Sequence, residues 1–168
     1  QAIRLAPEFG PAHADLGFSL YFAGRYAEAL ASFEKAQSLD PSMRHIDAWR
    51  YVVLTLLNRP EDARKMTEAA SAKEAKDRDW VEQVLAYQGG ASTEEELLGA
   101  VSQSDPAGAD AQLCEAHFYI GMKKKLSGDA AGADEHFRKA LETRAGRLSA
   151  YRGAQFELKK FGVAAKSS

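Results

Sequence analysis

The chain has 168 residues, with 22 Lys and Arg against 24 Asp and Glu and 45% apolar residues. That composition excludes a disordered chain and suffices for one domain-sized core, while a net charge of −2 leaves the class of partner open. Cys114 is the single cysteine, which excludes an intramolecular disulfide and a cysteine-rich metal site; the longest apolar run, Tyr51–Leu57, is too short for a bilayer, which needs about 20 helical residues. The chain opens at Gln1 with no initiator Met and no signal-peptide pattern, as expected of a portion of a longer protein or one whose leader is gone. Its apolar period is helical throughout. Leu16, Leu20 and Ala23 mark a first helix over Ala12–Ala23, stopped by Gly24. Ala29, Leu30, Phe33 and Ala36 mark a second over Tyr26–Leu39, closed by Asp40-Pro41. A third is expected over Met43–Leu57, and a fourth from Pro60, which suits a first helical turn, to Ala72. Asp79–Tyr87 is shorter and stops at Gly89-Gly90, and Ser92-Thr93 with the following glutamates forms a capping box for the next. Helices over Ala109–Leu126, Ala130–Thr143 and Ser149–Phe161 complete an all-α chain with short connections and antiparallel neighbours.

Internal repetition sharpens that reading. His13, Leu16, Gly17 and Leu20 are followed by Ala29, Phe33, Ala36 and Pro41. Shifted by 34 residues, Ala29 becomes Ala63 and Ala36 becomes Ala70. Later, His117, Ile120 and Gly121 are followed by Ala133, Phe137 and Ala140, and the step from Gly121 to Ala133 equals that from Gly17 to Ala29. Small residues belong where paired helices approach closely, and Leu, Ile and Phe fill the space beside them. The order resembles the 34-residue tetratricopeptide repeat, which implies a solenoid of antiparallel helix hairpins. The expected divisions are the end of an earlier repeat at 1–7, repeats at 10–41 and 43–75, a degenerate repeat at 76–104, a repeat at 109–145 and a capping helix at 147–162. The 43–75 repeat departs from the pattern by placing Tyr51 where glycine usually sits.

A narrower resemblance runs through the second half. Trp80, Ala86-Tyr87 and Gly89, then Glu94–Leu98, Cys114–Gly121, Gly128-Asp129, Phe137, Ala140 and Tyr151-Arg152 resemble the NlpI-type bacterial lipoproteins. That resemblance implies a helical repeat protein that forms homodimers, sits periplasmic or membrane-associated, and joins a protease to cell-wall hydrolases without catalysis of its own. A cytoplasmic location is the alternative. The lipid-accepting N-terminal cysteine of that family has no counterpart, since Cys114 lies inside a helix.

No phosphate loop, G-x-G-x-x-G or H-E-x-x-H occurs. Cys114 and His117 share a helical face but make too few ligands for zinc, and with Glu115 they lack the setting of a thiol nucleophile. No catalytic residue, metal or cofactor is therefore expected. Charge is uneven: residues 92–119 carry a net −6 and residues 120–168 a net +6. The basic end reads either as an electrostatic docking surface or as solvated helix faces, with Lys123–Lys125 spread around a helix. Aromatics interleaved for base stacking are missing there, so nucleic acid is not expected, nor is membrane contact by these residues.

First helices of tetratricopeptide hairpins line the concave side. The inner face should carry Ala14, Phe18, Tyr21 and Phe22, then Ala48, Val52, Thr55 and Leu56, then Phe118, Met122, Lys125 and Leu126. Three readings of this apolar stripe stay open: internal packing, a groove for partner proteins or peptides, and a homodimer surface. The clamp with which some tetratricopeptide domains hold the tails of heat-shock chaperones has no match, because the corresponding places hold Ala14, Phe18, Trp49, Glu115 and Tyr119. The function expected is a non-catalytic scaffold or adaptor that binds partners through the stripe. The alternative is a structural segment of a larger solenoid or assembly.

Overall fold

The computed structural model describes residues 8–102 and 106–166, with side chains described over 8–102 and 108–160. The described residues hold nine α-helices and no strand. They are α1 (Gly10–Phe22), α2 (Tyr26–Leu39), α3 (Ile46–Leu56), α4 (Pro60–Ala72), α5 (Trp80–Gly89), α6 (Glu94–Gly99), α7 (Pro106–Leu126), α8 (Ala130–Glu142) and α9 (Ser149–Lys166). A single 3₁₀ turn, Ala75–Asp77, precedes α5. The chain divides into two compact units, residues 1–89 and 90–168, with the division inside the stretch expected as a degenerate repeat. Residues 1–7, expected to end an earlier repeat, lie outside the described residues.

Helix ends follow the local chemistry. Gly24 and Gly128 adopt φ of +74° and +89°, and Asn58 does the same job at +55°. Each turns the chain so that the next amide reaches back to a carbonyl five residues earlier: Arg25 to Leu20, Arg59 to Leu54 and Asp129 to Lys124, all at 2.9 Å. Gly24 and Asn58 are 34 residues apart, so the repeat shows in its turns as well as its helices. Thr93 and Glu96 cap α6 reciprocally, and Asp79 and Glu82 exchange the same pair of bonds, both 3.0 Å, at the start of α5. The third helix begins at Ile46 instead of Met43, because Asp40 accepts from the amide and hydroxyl of Ser42 and holds 40–42 as a turn.

In the first unit α1 packs on α2, α2 on α3, α3 on α4, and α5 on both α3 and α4. In the second, α7 packs on α8, α9 lies on both, and the short α6 docks on α7. The first unit thus has two hairpins followed by one further helix, and the second has the short α6, one hairpin and one further helix. The expected motif residues make the contacts. Phe33 and Phe137 are fully buried among Ala29, Ala36, Ala133 and Ala140. A Cβ on Gly17 would stand 2.5 Å from the Phe33 ring, and one on Gly121 would stand 2.6 Å from Phe137. Burying each ring contributes about 2–3 kcal/mol. The α3–α4 hairpin inverts the pair. Tyr51 occupies the glycine position and Thr67 the phenylalanine position, so the aromatic comes from the first helix instead of the second. The Tyr51 hydroxyl donates to the Gln88 carbonyl at 2.8 Å.

Candidate functional site

The first unit brings an aromatic group together from α1, α2 and α3. Trp49, 1% exposed, takes the edges of three rings from α1: Tyr21 at 5.0 Å, Phe18 at 5.2 Å and Phe22 at 6.4 Å between centroids. Phe18 also meets Phe33 edge-on at 5.1 Å, and Phe22 meets Tyr21 at 5.5 Å. Such edge-to-face pairs contribute about 0.5–1.5 kcal/mol each beyond burial and hold rings in fixed orientations. Phe18 and Phe22 remain half-buried, so this rigid group presents two aromatic surfaces to solvent.

The other stripe residues divide by burial. Ala14, Tyr21, Ala48, Val52, Phe118 and Met122 are all buried, with Tyr21 and Phe118 at 0%. Thr55 and Leu56 on α3 are half-buried, as is Lys125 on α7. Leu126 is 40% exposed. Lys125 is ion-paired with Glu157 of α9, a carboxylate only 1% exposed. Of the places compared with the chaperone clamp, Ala14, Trp49 and Tyr119 are buried, and Phe18 and Glu115 are half-buried. A second recess in this unit lies beside the inverted hairpin. It encloses about 210 Å³ between Tyr51, Thr55, Ala63, Thr67 and Gly89, with Asn58 and Arg64 at its edge. Thr67 packs against Gly89, where an added Cβ would stand 2.6 Å from the threonine hydroxyl oxygen.

The second unit contains a polar chain that sequence reasoning missed. His117 Nδ1 of α7 and His136 Nδ1 of α8 are 3.1 Å apart, and His136 Nε2 is 2.9 Å from Glu94 of α6. Lys124 reaches the other oxygen of Glu94 at 3.3 Å. In the neutral pair the Nε2–H of His136 donates to Glu94, so its Nδ1 accepts from His117. Burial, then the neighbouring His136 and Lys139, pull the His117 pKa down to about 4. Burial also lowers His136, against the opposing pull of Glu94. The chain ties α6, α7 and α8 together, and burial favours the neutral form of both rings. The residues are far apart in sequence and belong to different helices, so no spacing rule points to them.

Cys114 is fully buried, and the loss of water raises its pKa to about 11. His117, three residues on, is directed to His136. A thiol in that state is a packed side chain and a poor nucleophile. Among the described residues no three His, Cys, Asp or Glu side chains converge on a metal-sized space, and no helix is long and apolar enough to cross a membrane.

Residues 10–43 match the tetratricopeptide repeat family, which places one such repeat on α1, α2 and the turn that follows. The small glutamine-rich tetratricopeptide repeat-containing protein 2 of Mycosarcoma maydis is 43% identical over 42 residues, which are 25% of this chain and 12% of that protein. The match therefore covers only a small part of that relative. Tetratricopeptide repeats are in general protein-interaction modules, and the helix pairing and the match agree on that class.

Proposed function

We propose that the chain is a non-catalytic scaffold that binds partner proteins through the accessible apolar residues of its first helices, above all Phe18 and Phe22 of α1 with Thr55 and Leu56 of α3. The observation that carries this reading is the aromatic group around Trp49. Two half-buried phenylalanines held edge-on by buried rings are preorganised apolar anchors, and preorganisation lowers the entropy cost of binding. Ala14, Tyr21, Ala48 and Val52 are buried on the same two helices, while Phe118 and Met122 are buried within the second unit. The residues that resemble NlpI-type lipoproteins support an adaptor form of this function. Such an adaptor holds an enzyme beside its target and raises its effective concentration, in a periplasmic or membrane-associated setting.

The test is affinity capture from the source cell with the native chain and with Phe22→Ser/Leu56→Ser, followed by mass spectrometry. Both positions are half-buried, so helical circular dichroism should stay near the native signal. Partners captured by the native chain and lost by the folded variant are the expected result. An unchanged set of partners refutes this surface. Recovery of the chain alone turns the reading to a surface between copies.

A further inference from the structure

The 34-residue register of the first two hairpins shows what the recess beside α3 and α4 lacks. Gly17, Tyr21, Tyr26 and Phe33 of the α1–α2 hairpin correspond to Tyr51, Thr55, Pro60 and Thr67 of the α3–α4 hairpin. At these four places the first hairpin has three rings and the second has one, Tyr51. In the first hairpin the rings fill the interior. Tyr21 and Phe33 are fully buried, and the Tyr26 ring lies 5.6 Å from that of Tyr21 between centroids. In the second hairpin the same four places, Tyr51, Thr55, Pro60 and Thr67, all border open space, the recess of about 210 Å³. Gly89 of α5 borders it as well and adds no side chain, since a Cβ there would collide with Thr67. One more exchange keeps the recess open: Leu30, 4% exposed, is replaced by the exposed Arg64, which pairs with Glu61 and Glu68.

We infer that this recess takes the side chain of a tyrosine carried by a segment of a partner protein. The inference rests on the scaffold reading above, and Thr55 belongs to both surfaces. Size fits the occupant: a cavity of about 150 Å³ holds benzene, so about 210 Å³ holds a phenol ring. The repeat itself shows the fit, because the incoming ring replaces the one that Tyr21 supplies to its own hairpin. Hydrogen bonding favours a donor. The hydroxyls of Tyr51, Thr55 and Thr67 already donate, to the carbonyls of Gln88, Tyr51 and Arg64 at 2.8, 3.0 and 2.9 Å. What they retain is acceptor capacity, which a phenol O–H can use. No carboxylate lines the recess, and its one base, Arg64, is already paired, so a charged side chain gains little there. An arginine at the edge also favours an aromatic ring over an aliphatic chain.

The probe is N-acetyl-tyrosinamide, titrated into the isotope-labelled full chain and followed by backbone amide shifts in NMR. N-acetyl-phenylalaninamide, N-acetyl-leucinamide and p-cresol serve as comparisons. Saturable shifts centred on Thr67 and Gly89 are expected. The phenylalanine amide should bind about fivefold more weakly, the worth of one hydrogen bond, and the leucine amide more weakly still. Thr55→Tyr/Pro60→Tyr gives the α3–α4 hairpin the rings of the first, and should abolish the shifts while keeping the helical circular dichroism. Thr55→Tyr alone, at a half-buried position, should weaken the probe about tenfold or more, which keeps the test valid if the double variant misfolds. Phe22→Ser/Leu56→Ser should bind the probe as the native chain does. Probe binding with unchanged partner capture by that variant leaves the recess standing and the scaffold surface refuted. Absence of probe binding with loss of captured partners refutes the recess alone. Shifts centred elsewhere, equal binding of the phenylalanine or leucine amide, or full binding by folded Thr55→Tyr overturns the inference. So does binding of p-cresol without the capped amide, which points to a free phenol instead of a protein segment.

Discussion

Gly17 and Gly121 show how one missing atom sets a helix pairing. In an ordinary helix interior, Gly→Ala stabilises by about 1 kcal/mol. Here the added Cβ would enter the Phe33 or Phe137 ring at 2.5–2.6 Å, and both rings are fully buried with nowhere to move. Gly17→Ala and Gly121→Ala should each therefore destabilise, by about 1–3 kcal/mol in urea titrations. The histidine pair makes a second prediction at this scale. Burial favours the neutral form of its rings in the folded chain, with the His117 pKa at about 4. An unfolded histidine titrates near 6.5, so between about pH 6.5 and about 4 the unfolded state binds more protons. Stability should therefore be full above that window and fall as pH drops through it. Glu94 and Glu135 oppose the fall, and Lys124 and Lys139 reinforce it. Urea midpoints measured from pH 7 to pH 4 should decline less steeply in His136→Gln than in the native chain.

Among the hairpins, the Tyr51–Thr67 exchange is the clearest departure from the repeat. Positions 17 and 51 are equivalent, as are 33 and 67, so the sequence places both residues once the repeat is aligned. What it does not state is that a recess of about 210 Å³ is lined by both. Tyr51→Gly should cost about 3 kcal/mol by emptying a half-buried site and orphaning the Gln88 carbonyl. Tyr51→Gly/Thr67→Phe should recover part of that loss by restoring the order found in the α1–α2 and α7–α8 hairpins, as double-mutant urea titrations would register. Helix ends were legible because Gly24, Asp40-Pro41, Thr93 and Gly128 each carry a local chemical reason to stop or start. Burial of Tyr21, Phe118 and Met122 was not. The inner side of α1 is also the side on which Trp49 of α3 packs, and periodicity along one helix does not separate those two directions.

For the whole molecule, each unit has its own buried centre, around Phe33 and Trp49 in residues 1–89 and around Phe118 and Phe137 in residues 90–168. The charge asymmetry of the sequence acquires a place within the second unit. Glu94 of its acidic part is used internally, while its basic end lies along the solvent side of α9. Cys114 gives this unit a further property. The thiol has no exposed surface and ionises only near pH 11, so a disulfide reagent at pH 8 should find the folded chain silent and the urea-unfolded chain fully reactive. In dilute urea, the rate of thiol modification then becomes a clock for opening around α7, read without any added label. The same silence makes the native chain a ready host for a dye: a cysteine placed at position 159 would be the one thiol that a maleimide reaches.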